Sequence, residues 1–378
     1  MKSDKSTPNV PTLRFKQYDD KWTICNLSDI ASVVGGGTPD TTDPLLWNGN
    51  VQWFTPTEVG HSKYVSKSVR TISQLGLQKS SAKVLPKGSI LLSSRATVGE
   101  CSIVKNECTT NQGFQSLIPR KGINNEFLYY LTQTKKKHFI KYASGSTFLE
   151  ISNSEIKKTK CAVPCIDEQA KIAEFLTLLD EKIETQNKII SKYESLIKGL
   201  CEYIITIANG HPIRLGEIST IYQPQTITQA ELSENGDYPV FGANGIIGYY
   251  HQFNHEKAQI IITCRGSTCG TVNMSAPNSW ITGNSMVINV DGYEGIVDKQ
   301  YLFYYLKTIS FKSMISGSGQ PQIVRKPLVD LLISLPELNT QVKYCSIIDT
   351  IDKKLVKEKD MLSRLTDLKA YLLSNLFI

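Results

Sequence analysis

The 378-residue sequence has no closely spaced pair of cysteine doublets, few histidines and no apolar run long enough to cross a bilayer. Each shortage removes a class of function. Nine cysteines is an odd number; the closest, Cys161/Cys165 and Cys264/Cys269, lack the second pair that a zinc site needs. They are expected to be reduced thiols of a cytoplasmic protein. His251 and His255, four apart, fall on an expected turn, so no metal site is assigned. No window approaches 18 uninterrupted apolar residues, and the N-terminus MKSDKSTPNV has no apolar signal core, so neither a membrane partner nor secretion is expected. GGGTPD (35–40) lacks the Lys-Ser/Thr of a phosphate loop, and GANGIIG (242–248) departs from G-x-G-x-x-G; both read as tight turns. There is no Asn/Asp-Pro-Pro-Tyr/Phe, no helicase motif and no nucleophile placed beside a base. Catalytic residues are therefore expected to be none, and binding is favoured over catalysis.

What the chain does have is a soluble, globular balance, 40% hydrophobic and 20% charged, at a length that suits two domains. Its charge is uneven. Residues 1–160 hold 22 Lys and Arg against 12 Asp and Glu, whereas residues 207–335 hold 8 against 9. The first block suits a polyanionic partner, although a solvated basic surface would look the same.

The strongest signal is duplication. From Ile172, steps of four and three reach Leu176, Leu179, Ile183, Gln186, Ile190 and onward to Ile207, with Gln186 the one polar member. A further 172 residues on lie Ile348, Ile351, Leu355, Glu358 and Leu362, in a seam whose later polar member is Lys369. Seams sustained over five heptads predict two long helices that bury them against each other. Antiparallel pairing would bring Gln186 and Glu358 together. At about 1.5 Å per residue, some 40 residues span ~60 Å. The register is pinned by Pro164/Pro336, Gln169/Gln341, Lys171/Lys343 and Asp180/Asp352, so each helix opens with the phrase Pro-x4-Gln.

The blocks ahead of the helices repeat more loosely. SSRATVG (93–99) pairs with TCRGSTCG (263–270), TTNQGFQSLIP (109–119) with ITGNSMVINV (281–290), EFLYYLTQ (126–133) with QYLFYYLK (300–307), and YASGSTFLEIS (142–152) with ISGSGQPQIVR (315–325). An arginine among small hydroxyl residues just after a strand suits a guanine edge or a phosphate. Hydroxyl, amide and arginine positions in these loops are the DNA-binding candidates: Thr38, Arg95, Thr97, Asn111, Gln112, Ser146 and Thr147 in the first block, and Arg265, Ser267, Thr268, Asn284, Ser318 and Gln320 in the second. Lys135-Lys136-Lys137-His138 is expected to close a helix, where it would either complement the helix dipole or meet phosphate.

VPTLRFKQYDDKW, LSDIASVVGGGTPDTTDPLLWNGNVQWFTPTEV, FGANGIIGYY, the paired Arg loops and the doubled Pro-x4-Gln phrase together resemble specificity subunits of type I restriction–modification systems. The resemblance covers essentially the whole chain. One departure is Thr340, which stands where Glu168 precedes the Gln in the first copy. The resemblance implies an α+β chain: two α/β target recognition domains related by a pseudo-twofold axis, joined by two helices in an antiparallel coiled coil. Segments are expected at 1–21 (N-terminal segment), 22–160 (first recognition domain), 161–207 (first helix), 208–335 (second recognition domain) and 336–378 (second helix). It further implies a non-catalytic subunit whose domains each read half of a split double-stranded DNA target. Its helices would set the spacing and dock two methyltransferase and two restriction subunits. S-adenosylmethionine, ATP and Mg would belong to those partners, with no cofactor in this chain. A coiled-coil scaffold without DNA readout would explain the helices but not the matched loops.

Overall fold

A computed structural model describes residues 9–145, 149–207, 210–243, 245–317 and 319–378. The chain forms two compact units: one runs to Thr185 and takes in Leu362–Ile378, and the other is Gln186–Met361. The division falls inside both long helices, Ile166–Ile207 and Leu338–Asn375, rather than at their ends.

In the first unit, β1 (Thr23–Asn26) leads to β2 (Ala31–Gly35), β3 (Trp47–Phe54), β4 (Tyr64–Val65) and β5 (Arg70–Ile72). Then follow β6 (Ile90–Leu92), β7 (Cys101–Val104), β8 (Thr109–Thr110), β9 (Gln115–Pro119) and β10 (Lys160–Val163). One sheet has the order β2-β9-β6-β7-β4, antiparallel except for the edge pair β4–β7. A smaller sheet has the order β5-β3-β8, and β1 pairs antiparallel with β10. That last pair corrects one expected boundary. Residues 161–163 lie in the ladder with β1, and the helix starts only at Ile166, because Pro164 ends the strand without an N–H to donate.

The second unit repeats this with β11 (His211–Arg214), β12 (Thr220–Tyr222), β13 (Tyr238–Gly242), β14 (Gly245–Tyr250) and β15 (Ile260–Thr263). It continues with β16 (Val272–Met274), β17 (Trp280–Ile281), β18 (Ser285–Asn289) and β19 (Leu332–Leu335). Its main sheet is β12-β18-β15-β16, its smaller sheet β14-β13-β17, and β11 pairs with β19. Strands β13 and β14 pair antiparallel as far as Gly242 and Gly245, the latter at a φ of +103° that a side chain would disfavour.

In each unit an aromatic helix, Asn125–Thr134 or Lys299–Thr308, packs its buried face into the main core. The first core joins Trp22, Phe127, Tyr130 and Phe139 to Leu176 and Leu372; the second joins Ile262, Leu302 and Leu306 to Ile348. The two aromatic helices start alike. Asn124 accepts from the N–H groups of Glu126 and Phe127, and Asp298 from that of Tyr301.

The Pro-x4-Gln phrase has a structural meaning. Gln169 is 1% exposed; its Oε1 accepts from the Asn124 N–H at 2.9 Å while its Nε2 donates to the Pro164 carbonyl at 2.9 Å. Gln341, 0% exposed, does the same with the Asp298 N–H at 2.8 Å and the Pro336 carbonyl at 2.7 Å. One buried amide thus ties the start of each long helix to the cap of its aromatic helix. It satisfies main-chain groups that burial would otherwise leave unpaired.

Candidate nucleic-acid interface

Thr38, Arg95, Thr97, Asn111 and Gln112, the described candidate residues of the first unit, lie on loops at the ends of β2, β6 and β8. The Ser94 N–H donates to the Gly113 carbonyl at 2.8 Å, and the Gly99 N–H closes the Arg95 loop onto the Ser93 carbonyl at 3.0 Å. Within the loop Ala96 has a φ of +63°, and the Ser93 and Thr97 hydroxyls lie 2.9 Å apart. Arg95 is thereby held outward and exposed. Asn111 turns the next loop by accepting from the Gly113 N–H at 2.9 Å, and the Thr38 hydroxyl donates to the exposed Gln112. The approach is close at Gly36, where a Cβ would come within 2.0 Å of the Asn111 carbonyl. Thr38, Arg95, Thr97, Asn111 and Gln112 therefore share one loop cluster.

The second unit rebuilds it with the same backbone bonds. The Cys264 N–H donates to the Asn284 carbonyl at 2.9 Å, and the Gly270 N–H closes the Arg265 loop onto the Thr263 carbonyl at 2.8 Å. The Ile323 N–H reaches the Cys264 carbonyl at 3.0 Å, as the Ile151 N–H reaches that of Ser94 at 2.9 Å. Thr97 and Thr268 correspond, since each carbonyl accepts from the third residue on, Glu100 or Thr271. The second loop is one residue longer, which leaves Ser267 without a counterpart. Asn284 sits where Gly113 does, so Asn111 and Asn284 do not occupy equivalent places. Loop sequences of different length gave no register at that point; the backbone pairing does.

Bridges that no local motif announced set the two arginines apart. Arg95 lies opposite Glu150 in an isolated bridge and pairs with its carboxylate at 3.8 Å, both side chains being about half exposed. Arg265 lies opposite Gln322, a neutral side chain. Gln320 is exposed on the adjoining loop. Ser146, Thr147 and Ser318 lie outside the described residues.

Of the lysine run only Lys135 closes a helix, as the C-cap of Asn125–Thr134. Lys135 separates Asn125–Thr134 from a second helix, Lys136–Tyr142, so Lys136, Lys137 and His138 open the latter, where the dipole disfavours cations. Specific partners stand in for the dipole. Lys135 Nζ donates to the Ile378 carbonyl at 2.9 Å, and Lys136 pairs with Glu100. His138 lies against Tyr142, with burial and then Lys135 lowering its pKa. Lys137 remains exposed. Among the described residues no group of His, Cys, Asp or Glu is arranged to hold a metal, and no helix is long and apolar enough to cross a membrane.

The sequence matches the family model for the type I restriction modification DNA specificity domain over residues 19–195 and 211–364. The chain belongs to this family of specificity subunits. The EcoprrI specificity subunit of Escherichia coli is 25% identical over 354 residues, covering 86% of each chain. The MjaIX specificity subunit of Methanocaldococcus jannaschii is 39% identical over 178 residues, which cover 45% of this chain and 41% of that relative. This chain thus matches well under half the length of the latter. The crystal structure of a type I specificity subunit from M. genitalium shares the fold, with a TM-score of 0.63 at 20% identity, over 98% of this chain and 99% of that one.

The seam of this specificity subunit is read within each unit. In the first, Leu176 and Leu179 are buried, Ile183 packs against them, and Lys369, the polar member near the end of the second seam, pairs with Asp180 at 2.7 Å. In the second, Ile190, Ile348 and Leu355 are buried, with Ile351 partly so. Gln186 Nε2 donates to the Glu358 carbonyl at 3.0 Å and to its carboxylate. Leu362, which belongs to the first unit, is partly buried.

Proposed function

We propose that each unit of this specificity subunit reads one half of a split DNA sequence through its loop cluster. The observation that supports this most directly is that the Arg95 and Arg265 loops are closed by the same hydrogen bonds in two units of unlike charge. Phosphate contacts would position each unit and base-edge contacts would specify. The long helices would set the interval between half-sites, which lie about 34 Å apart when read from one face of the duplex. They also carry matched apolar residues on exposed positions, Phe175 with Ile347 and Leu196 with Leu368. These supply a surface on which methyltransferase and restriction subunits would dock, bringing the methyl donor, ATP and Mg with them. The chain itself would do no chemistry.

The test is a genome-wide map of methylated adenines in the host and in a strain lacking only this gene. Loss of one motif of two short half-sites around a fixed gap is the expected result. An unchanged map would sink the proposal.

A further inference from the structure

The two units differ in one respect that the duplication makes legible. In the first, the edge of the main sheet is covered by β4, parallel to β7, with the Ile103 N–H donating to the Lys63 carbonyl at 2.7 Å and the Lys105 N–H to that of Val65 at 2.8 Å. The covering segment also fills the space over the aromatic helix. Lys63 Nζ lies 3.1 Å from Glu126 and 4.8 Å from the Tyr130 ring centre, and the Tyr64 hydroxyl donates to Glu126. Tyr129 is only 4% exposed as a result.

In the second unit β16 is the outer strand of the sheet among the described residues. Ladder register places Met274 at the position of Ile103, since Ile260 pairs with Met274 as Ile90 pairs with Ile103. The Met274 and Ala276 N–H groups thus stand where those of Ile103 and Lys105 are taken up by β4. Beside this edge is a groove of about 890 Å³, lined by Met274, Gln300, Phe303, Tyr304 and Asp352 among others. Gln300, Phe303 and Tyr304 correspond to Glu126, Tyr129 and Tyr130, and Asp352 to Asp180. The rings recur in the second unit without a strand over them, with Gln300 offering an amide oxygen where Glu126 offers a carboxylate, Asp352 supplying negative charge beside it, and Lys307 Nζ 5.0 Å from the Phe303 ring centre. An open edge of this kind is a template for strand addition.

We propose that this edge and groove take an extended segment of the methyltransferase subunit, added parallel to β16 and presenting a lysine or arginine followed by an aromatic residue. The backbone would bond to Met274 and Ala276. The cation would sit over Tyr304 near Asp352, and the aromatic residue would cover Phe303. This rests on the assembly proposed above.

Hydrogen exchange of the full chain, alone and after gel filtration with the purified methyltransferase subunit, tests it. Co-elution with at least tenfold slower exchange in the segment spanning Met274–Ala276 is expected. Co-elution with unchanged exchange there would overturn the strand addition while leaving the assembly standing. Failure to co-elute would overturn both. Asp352→Lys, which puts a like charge where the cation would sit, is expected to weaken the complex about tenfold; undiminished binding would overturn the cation's part in it.

Discussion

Arg14 grips Glu168 with two parallel hydrogen bonds, Nε to Oε1 at 2.8 Å and Nη2 to Oε2 at 2.7 Å, and the Glu168 side chain is fully buried. The pair ties the segment ahead of the first strand to the first turn of the first long helix. It also explains why the two copies of the helix phrase differ: Thr340, at the place of Glu168, has no charge to neutralise. Arg14→Ala leaves a buried carboxylate without its cation, a loss of about 2 kcal/mol for hydrogen bonds to a charged group. The thermal midpoint is expected to fall by several degrees, with Arg14→Ala/Glu168→Gln recovering most of it. A single variant as stable as the parent would show that the pair adds nothing.

The clamps formed by Gln169 and Gln341 predict a paired result. Gln169→Ala should speed amide exchange at Asn124–Leu128 and leave Asp298–Leu302 unchanged, and Gln341→Ala should do the reverse. Each removes three hydrogen bonds from a buried site, the third being to the Gly122 or Ile296 carbonyl, so about 3 kcal/mol is expected from each. Loss of protection across both units from one substitution would mean that the clamps do not act locally.

These residues show where the chain was readable before its structure. Helical period, the proline that stops each strand and the recurrence of Gln at one spacing were all legible, because each acts over a few residues. The partners of that Gln were not, since Asn124 and Asp298 lie more than forty residues away in sequence. Nor was the Arg14–Glu168 pair, 154 residues apart. In the candidate interface the Arg loops were found from local composition. The register of Asn284 against Gly113 and the bridges to Glu150 and Gln322 depended on strand pairing across loops of unequal length. The lysine run was misplaced for a related reason. A two-helix junction at Lys135 has no proline or glycine to announce it.

His255 is 7% exposed, with Nε2 at 2.8 Å from the Tyr222 hydroxyl and Nδ1 at 2.6 Å from Asn254 Oδ1. Burial lowers its pKa from the ordinary 6.5, with Asp291 opposing. His138 shifts in the same direction. The unfolded chain therefore binds these protons first. Their contribution to stability is complete above pH 6.5 and is lost as the pH falls through the lower, folded-state values. Unfolding midpoints should decline on going from pH 7 to pH 5, and His255→Gln should flatten the decline. Identical pH profiles for the variant and the parent would count against a neutral buried imidazole.

Gln186 and Glu358 meet in a seam whose other polar member is Lys369, and a polar pair of this kind, with Gln186 buried and Glu358 partly so, trades stability for register. Gln186→Leu/Glu358→Leu is expected to raise the thermal midpoint while broadening the mass distribution seen by light scattering. Higher stability with an unchanged, single mass would remove the register argument.

Arg95 and Arg265 allow phosphate contact to be separated from base readout. Under the proposed function, Arg265 faces DNA beside a neutral Gln322, whereas Arg95 gives part of its charge to Glu150. If Arg265 meets a base edge, Arg265→Ala should cost about 1–3 kcal/mol and relax sequence preference at one position of one half-site. If it meets phosphate, binding should weaken about equally on all sequences, and the slope of log affinity against log salt should shrink by about one. Either result would leave the half-site served by Arg95 untouched, because the two arginines belong to different units. Titrations of the assembled complex against a target and its single-base variants distinguish the two. If Arg265→Ala changed neither affinity nor salt slope, the loop cluster would lose its claim to the DNA.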